Sequence, residues 1–168
     1  MKVSIFYSWQ SDLLPKTNRY YIEDAIKKAL KEINKDNQIV ACIDRDTKDE
    51  LGSPEIHNSV FNKINHSKFF ICDVSLNDNL VPNPNVLIEL GYAIKVLGWN
   101  KIICLFNSHT GKVEDLPFDI NHNRVTQYTP DKKGEKRRIA EIITLNIESL
   151  FKKGELYNPI ILKRKSII

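Results

Sequence analysis

The chain alternates between short apolar runs and longer stretches in which apolar residues recur every three to four positions. The first run, KVSIFYS at residues 2–8, is apolar at successive positions, which is typical of a central parallel strand covered on both faces. The next stretch, residues 17–34, has its apolar residues at helical spacing. The same two patterns then predict strands at residues 38–43, 68–74, 101–106 and 124–128, and helices at residues 54–65, 84–97 and 132–151.

Strands that alternate with helices of this length indicate βαβ units, because parallel neighbours need crossover connections. We therefore expect an α/β, flavodoxin-like sheet of five parallel strands in the order 2-1-3-4-5, with helices on both faces. One domain over residues 1–155 accounts for all of these elements. The segment at residues 107–123 is rich in turn formers and predicts a loop or a short helix, and the tail at residues 156–168 is assigned no role.

Composition agrees with one soluble globular domain, since 42% of the 168 residues are hydrophobic and 27% are charged. Neither a membrane span nor a signal peptide is recognisable, so we expect a cytoplasmic protein with no membrane partner. The three cysteines (Cys42, Cys72 and Cys104) lie in separate apolar runs and are interpreted as buried core thiols. The four histidines show no ligand spacing, so no metal is expected.

The net charge of +4 is unevenly distributed. Residues 130–168 hold ten Lys or Arg against five Asp or Glu, mostly on the last predicted helix and in the tail. Proteins that read nucleic acids usually carry a basic stripe interleaved with aromatic residues across the body of the fold. We therefore interpret the basic helix as a solvated face, with an acidic protein partner as the weaker alternative, and expect no direct nucleic-acid binding.

A ligand site is expected where the strand order reverses, between strands one and three, because open parallel sheets bind ligands outside the carboxyl ends of their strands there. The helix predicted at residues 84–97 follows strand three and is apolar almost all round, which predicts a largely buried helix. Glu89 is its single acidic residue, and no basic residue lies one turn away. A desolvated carboxylate of this kind is costly and is typical of functional sites.

A carboxylate at such a site suits cleavage of an N-glycosidic bond, because it can stabilise an oxocarbenium-like transition state or trap the sugar covalently. Glu89 is therefore the predicted catalytic residue. The structural alternative is that it points outward or pairs with an arginine from another segment. No Gly-rich phosphate loop is present, which argues against a Rossmann dehydrogenase or a P-loop NTPase.

Other residues near the switch point are candidates for substrate binding. Ser8, Trp9 and Gln10 leave strand one, where they could hold a ribose or phosphate, and Trp9 could stack on a base or be a core aromatic. Arg45 could meet a pyrophosphate or pair with a neighbouring aspartate. Asp73 and Ser75 end strand three, and one of Asn83 and Asn85 is needed as a helix cap while the other is free for a ribose hydroxyl. Asp12 and Arg19 are interpreted as capping and bracing the first helix.

Five segments carry a resemblance to a known family: YSWQSD (7–12), DRDT (44–47), GSPEI (52–56), CDVS (72–75) and NPNVLIELGYA (83–93). They resemble bacterial predicted nucleotide-binding proteins with a TIR-like domain, part of a superfamily in which many members cleave NAD in anti-phage defence. The resemblance implies that Glu89 is the catalytic glutamate and that residues 46–54 form the BB loop. Nucleoside deoxyribosyltransferases are similar in placing a nucleophilic glutamate in an ELGYA-like helix. The Trp-Cys signature of animal TIR domains is absent.

Three functions follow as hypotheses. The first is an NAD glycohydrolase or cyclase, with NAD as substrate and no cofactor, acting in antiviral defence. The second is a nucleoside or nucleotide N-glycosidase or deoxyribosyltransferase. The third is a nucleotide-sensing or scaffolding module without turnover. The resemblance also implies a homo-oligomer and a sensor or effector protein as a partner.

Overall fold

A computed structural model describes residues 2–36, 40–45 and 56–155 of the chain, apart from a few side chains at the ends of these ranges. Its strands and helices alternate as the hydrophobic pattern predicts. The strands are β1 (Lys2–Ser8), β2 (Val40–Arg45), β3 (Phe69–Asp73), β4 (Ile102–Asn107) and β5 (Val125–Tyr128). The helices are α1 (Arg19–Ile33), α2 (Ile56–His66), α3 (Pro84–Leu97), α4 (Phe118–Asn121) and α5 (Glu135–Lys152).

The five strands form one parallel sheet in the order β2-β1-β3-β4-β5, which confirms the predicted α/β flavodoxin-like topology. β1 lies between β2 and β3, and Ser8 is in register with Cys72 of β3. Every residue of β3 and β4 is buried, as expected for strands covered on both faces. The sheet reverses its order between β1 and β3, so the expected switch point is present.

Two hydrophobic cores lie on opposite faces of the sheet. α1 and α5 cover one face, where Tyr21 of α1 stacks on Tyr128 of β5 with ring centroids 5.2 Å apart. α2 and α3 cover the other face, where Phe6 of β1 stacks on Phe70 of β3. Successive residues of a strand point to opposite faces, so Tyr7 and Phe6 belong to different cores.

The prediction that α3 is largely buried is wrong. Only Val86, Leu90 and Ala93 are buried in this helix, whereas Ile88 is 56% exposed. The reason is geometric: α3 is an outer-layer helix that meets the sheet along one stripe, so apolar residues elsewhere on its circumference face outward.

The remaining local predictions have mixed outcomes. The segment after β4 contains one turn of 3-10 helix and the four-residue helix α4, as predicted. Cys72 and Cys104 are buried and Cys42 is partly buried, and all three are free thiols. The Cys72 and Cys104 sulfur atoms lie 3.6 Å apart on paired strands. The predicted BB loop at residues 46–54, the beginning of the predicted second strand at residues 38–39 and the tail at residues 156–168 lie outside the described residues.

Candidate functional site

The loop after β1 and the helix α3 meet at the switch point, on the carboxyl edge of the sheet. Ser8, the last residue of β1, donates a hydrogen bond from its hydroxyl to Oε2 of Glu89, with an oxygen–oxygen distance of 2.5 Å. The Ser8 side chain is buried and Glu89 is partly buried. The side chain of Glu89 therefore turns toward the end of β1 rather than outward to solvent, and a hydroxyl orients its carboxylate.

Helix α3 is fixed at its start by a side-chain cap. Asn83 Oδ1 accepts hydrogen bonds from the backbone N–H groups of Asn85 (2.9 Å) and Val86 (3.4 Å), and Pro84 occupies the first turn. These N–H groups have no partner within a helix, so the cap satisfies them. Asn83 is thus the asparagine used as the cap, while Asn85 is exposed one turn before Glu89 on the same side of the helix.

Asp12 crosses from the loop after β1 to the start of α3. Its Oδ2 accepts hydrogen bonds from Nδ2 of Asn83 at 2.9 Å and from Nδ2 of Asn77 at 3.4 Å. The expectation that Asp12 caps the first helix is wrong, because the two asparagines on the far side of the crevice hold its carboxylate. The loop after β1 is therefore joined to α3 at two points, by Ser8 near the sheet and by Asp12 at the rim.

A second polar cluster at the same edge is completely buried. Asp73, at the end of β3, accepts hydrogen bonds from the Asn18 side chain (3.0 Å) and from the Ser75 backbone N–H (3.1 Å). Asn18 accepts in turn from the side chain of Asn107 at the end of β4 (2.9 Å), and Gln10 donates to the backbone oxygen of Ser75 (2.9 Å). These side chains join the loops after β1, β3 and β4 to the start of α1.

Burial raises the pKa of the Asp73 carboxyl above its ordinary value of 3.8, and hydrogen bonds from Ser75, Asn18 and Gln10 oppose the shift. The carboxyl is fully enclosed. Of the predicted substrate-binding residues, Asp73, Ser75 and Gln10 thus have side chains that face this internal network. Their hydrogen bonds hold the loops of the site together, and we call this set of buried side chains the brace.

Trp9 and Arg45 complete the set of predicted substrate-binding residues. Trp9 packs against the core between the sheet and α1, and the Arg19 guanidinium lies 3.4 Å from its ring centroid. Arg19 therefore covers one face of the indole, so stacking on a ligand is restricted to the other face. Arg45 ends β2 as expected, but its side chain lies outside the described part of the chain.

Two asparagines of the buried network were missed by the sequence interpretation. Asn107 is the last residue of β4, so the strand-end rule that selected Asp73 also applies to it. Asn18 immediately precedes α1, where an asparagine is normally read as a helix cap. Its side chain makes no cap hydrogen bond because it is turned toward Asp73 and Asn107. The residues around Asn18 in the sequence do not indicate these distant contacts.

Relatives of this fold are found among solved structures. No protein-family model matches the sequence, and no curated protein is significantly similar to it. A 2-desoxiribosyltransferase from Leishmania mexicana superposes with a TM-score of 0.54 at 15% identity, over 83% of this chain and 97% of that one. A rubredoxin oxygen:oxidoreductase from the anaerobe Desulfovibrio gigas superposes with a TM-score of 0.51 at 14% identity. That match covers 90% of this chain but only 36% of the oxidoreductase.

These likenesses agree with the observed topology and define the chain as an α/β domain of flavodoxin-like fold. At this level of identity they speak for the fold alone. Within the described ranges, no helix has both the length and the apolar character needed to cross a bilayer. The same ranges contain no cluster of three or more His, Cys, Asp or Glu side chains arranged to hold a metal ion.

Proposed function

We propose that this chain is an enzyme that cleaves the N-glycosidic bond of a nucleoside or nucleotide, with Glu89 as its catalytic carboxylate. The observation that carries the proposal is the hydrogen bond from Ser8 to Glu89 at the switch point of the sheet. A carboxylate at this position lies where open parallel sheets bind their ligands. The hydroxyl holds one carboxylate oxygen and so fixes the orientation of the carboxylate at the switch point.

The reaction needs few groups besides this carboxylate. As the bond from C1′ to the base nitrogen breaks, its electron pair leaves with the base, which takes up a proton from solvent or from an acid of the site. The Glu89 carboxylate forms a bond to C1′, or stabilises the oxocarbenium centre that develops there. Water then attacks C1′, loses a proton to solvent and displaces the Glu89 carboxylate, which gives the free sugar. Attack by the nitrogen of a second base, with loss of its N–H proton, displaces the carboxylate in the same way and gives a new nucleoside. Both routes return Glu89 to its starting state.

Nucleosides are the preferred substrate class in this proposal. The structural likeness to a 2-desoxiribosyltransferase extends over nearly the whole length of that enzyme and supports a glycosyl-transfer function. The part ELGYA of the helix that carries Glu89 also resembles the helix that holds the nucleophile of nucleoside deoxyribosyltransferases. NAD glycohydrolysis or cyclisation is the second candidate, favoured by the likeness of all five segments (YSWQSD, DRDT, GSPEI, CDVS and NPNVLIELGYA) to TIR-like proteins. In that case an anti-phage role and assembly into oligomers would follow.

The test is a substrate panel assayed with purified protein. 2′-Deoxynucleosides, ribonucleosides and NAD are each incubated alone and with a second free base, and the products are separated by HPLC. A new nucleoside formed from the second base identifies a transferase, release of base alone identifies a hydrolase, and nicotinamide release from NAD supports the second candidate. We expect the highest turnover with a nucleoside.

The matched variants are Glu89→Gln and Glu148→Gln. Both replace a partly buried helical glutamate by its isosteric amide, but Glu148 lies on α5, on the opposite face of the sheet. Glu89→Gln should lower turnover on the order of 10²–10³-fold or more, since loss of transition-state electrostatics has this size. Glu148→Gln should retain the wild-type rate. Equal rates in wild type and Glu89→Gln would sink the catalytic assignment.

A further inference from the structure

Asp12 holds an unneutralised charge at the rim of the proposed site. It is exposed, and its Oδ2 accepts from the side-chain amides of Asn83 and Asn77. Its second oxygen has no hydrogen-bond partner within the described ranges, and no lysine, arginine or histidine there forms an ion pair with it. The amides orient the carboxylate without cancelling its charge, so one oxygen remains available to accept a further hydrogen bond.

The rim carboxylate and the proposed catalytic carboxylate lie at different levels of α3. Asn83, which holds Asp12, precedes Glu89 by six residues, a rise of about 9 Å along α3. The loop after β1 spans the same gap, because Ser8 contacts Glu89 and Asp12 contacts Asn83. In the proposed pose, C1′ of the sugar lies at Glu89 and its far hydroxyl groups point toward the rim, where Asp12 lies.

We propose that Asp12 is a specificity-determining residue that selects a substrate with a free sugar hydroxyl over its 5′-phosphorylated form. Its oriented oxygen accepts a hydrogen bond from the hydroxyl, and its charge repels a phosphate at the same position. A site that hydrogen-bonds a substrate hydroxyl discriminates strongly against analogues that lack it. A negative charge placed beside a phosphate also weakens binding of the phosphorylated ligand. This inference rests on the proposed function and narrows its substrate class to unphosphorylated nucleosides.

Asp12→Asn separates the charge of the residue from its hydrogen-bonding role. The amide oxygen can still accept from Asn83, so the loop keeps its attachment to α3, and the amide NH₂ can donate to the oxygen of the sugar hydroxyl. The negative charge is lost. The probes are 2′-deoxyadenosine and 2′-deoxyadenosine 5′-monophosphate, assayed for base release. Wild type should favour the nucleoside in kcat/KM, and Asp12→Asn should narrow this preference about tenfold or more, mainly through the nucleotide, because a like charge is removed.

The matched control is Asp119→Asn, which removes one charge from the exposed surface of α4, away from the switch point. It should leave the preference unchanged. Asp12→Ala should weaken turnover of the nucleoside as well, because no hydrogen-bonding group of the side chain then remains for the sugar hydroxyl or for Asn83. An unchanged preference in Asp12→Asn, in a protein that turns over the nucleoside, would overturn the inference while leaving the proposed function intact.

Binding gives a readout that does not depend on turnover. Isothermal titration calorimetry of both probes is performed with Glu89→Gln alone and with Glu89→Gln combined with Asp12→Asn. The inference is supported if the protein with Asp12 intact binds the nucleoside more strongly than the nucleotide and if this difference in affinity decreases when the Asp12 charge is lost. That result would support the inference even if the wild-type protein cleaves nothing and the proposed function fails. Stronger binding of the nucleotide by the protein with Asp12 intact overturns the inference. If neither probe binds, both proposals are wrong.

Discussion

Two carboxylates at the same edge of the sheet have opposite environments. Asp73 ends β3, is completely enclosed, and accepts hydrogen bonds from an asparagine side chain and a backbone N–H. Glu89 projects from α3, is only partly buried, and accepts a hydrogen bond from the hydroxyl of Ser8. Sequence position alone makes both of them candidates for a site, because both lie at the switch point.

The difference in burial indicates which polar residues at this edge hold the structure together and which can contact a ligand. A fully enclosed carboxylate surrounded by amides holds loops together, because breaking its hydrogen bonds leaves several buried polar groups unsatisfied. A partly buried carboxylate can approach a ligand without dismantling that network. Asp73 thus has the environment of a brace for the loops that frame the crevice, and Glu89 has that of a reactive group.

The largest expected effect is a difference between the isosteric substitutions of the two carboxylates: one should lower stability and the other should lower turnover. Asp73→Asn should lower the free energy of unfolding by about 1–3 kcal/mol, because its new NH₂ group opposes either the Asn18 amide or the Ser75 N–H. Glu89→Gln should change the melting temperature little while removing turnover. Urea unfolding and base-release assays on both variants measure this pair of effects. If Asp73→Asn lost turnover but kept the stability of wild type, Asp73 and not Glu89 would be the candidate catalytic carboxylate.

A smaller effect is expected at Ser8. Ser8→Ala removes the hydroxyl that orients Glu89, and a hydrogen bond to a charged group is typically worth about 1.5–3 kcal/mol. Such a loss corresponds to a fall in kcat/KM of at least about tenfold. Ser8→Thr, which keeps a hydroxyl, should recover part of the rate.

Ser4→Ala is the control for this substitution, because Ser4 lies in the same strand and donates its hydroxyl hydrogen bond to the backbone oxygen of His66. It should leave kcat/KM near the wild-type value. Equal losses at Ser4 and Ser8 would mean that disturbance of β1, and not orientation of Glu89, is being measured.

How much of the fold and of the site can be predicted from the sequence depends on how far apart in the chain the interacting residues lie. The strand order and the position of Glu89 follow from local periodicity combined with general rules of chain topology. The burial of α3 was predicted wrongly because its outward apolar residues, such as Ile88, give the same composition as a buried helix. The brace around Asp73 was missed because Asn18 and Asn107 come from segments 89 residues apart and meet only in the folded chain.

Asp12 illustrates the same limit at the rim of the site. Its position shortly before α1 suggested a helix cap, since aspartate is a preferred residue there. The side chain instead bonds Asn83, which is 71 residues away in the chain. Whether an aspartate serves its own helix or a distant loop is decided by the packing of β1 against α3. Ser8 ends the strand before this loop, and its contact with Glu89 depends on that packing too.

The smallest effect is a pH dependence that has opposite signs at two buried carboxylates. Burial raises the pKa of Asp73, so its contribution to stability is full below its unfolded value of 3.8 and is lost as pH rises through the folded pKa. The hydrogen bond from Arg138 lowers the pKa of Glu135 at the start of α5, so its contribution is present above the unfolded value of 4.5 and is lost as pH falls through the folded pKa. Urea unfolding from acidic to neutral pH should therefore show the advantage of wild type over Asp73→Asn shrinking with rising pH. The advantage of wild type over Glu135→Gln should grow across the same range. Each comparison subtracts the other titrating groups common to both proteins. An advantage of wild type over Asp73→Asn that grows with pH would therefore show that Asp73 is stabilised as an anion, contrary to the burial effect argued here.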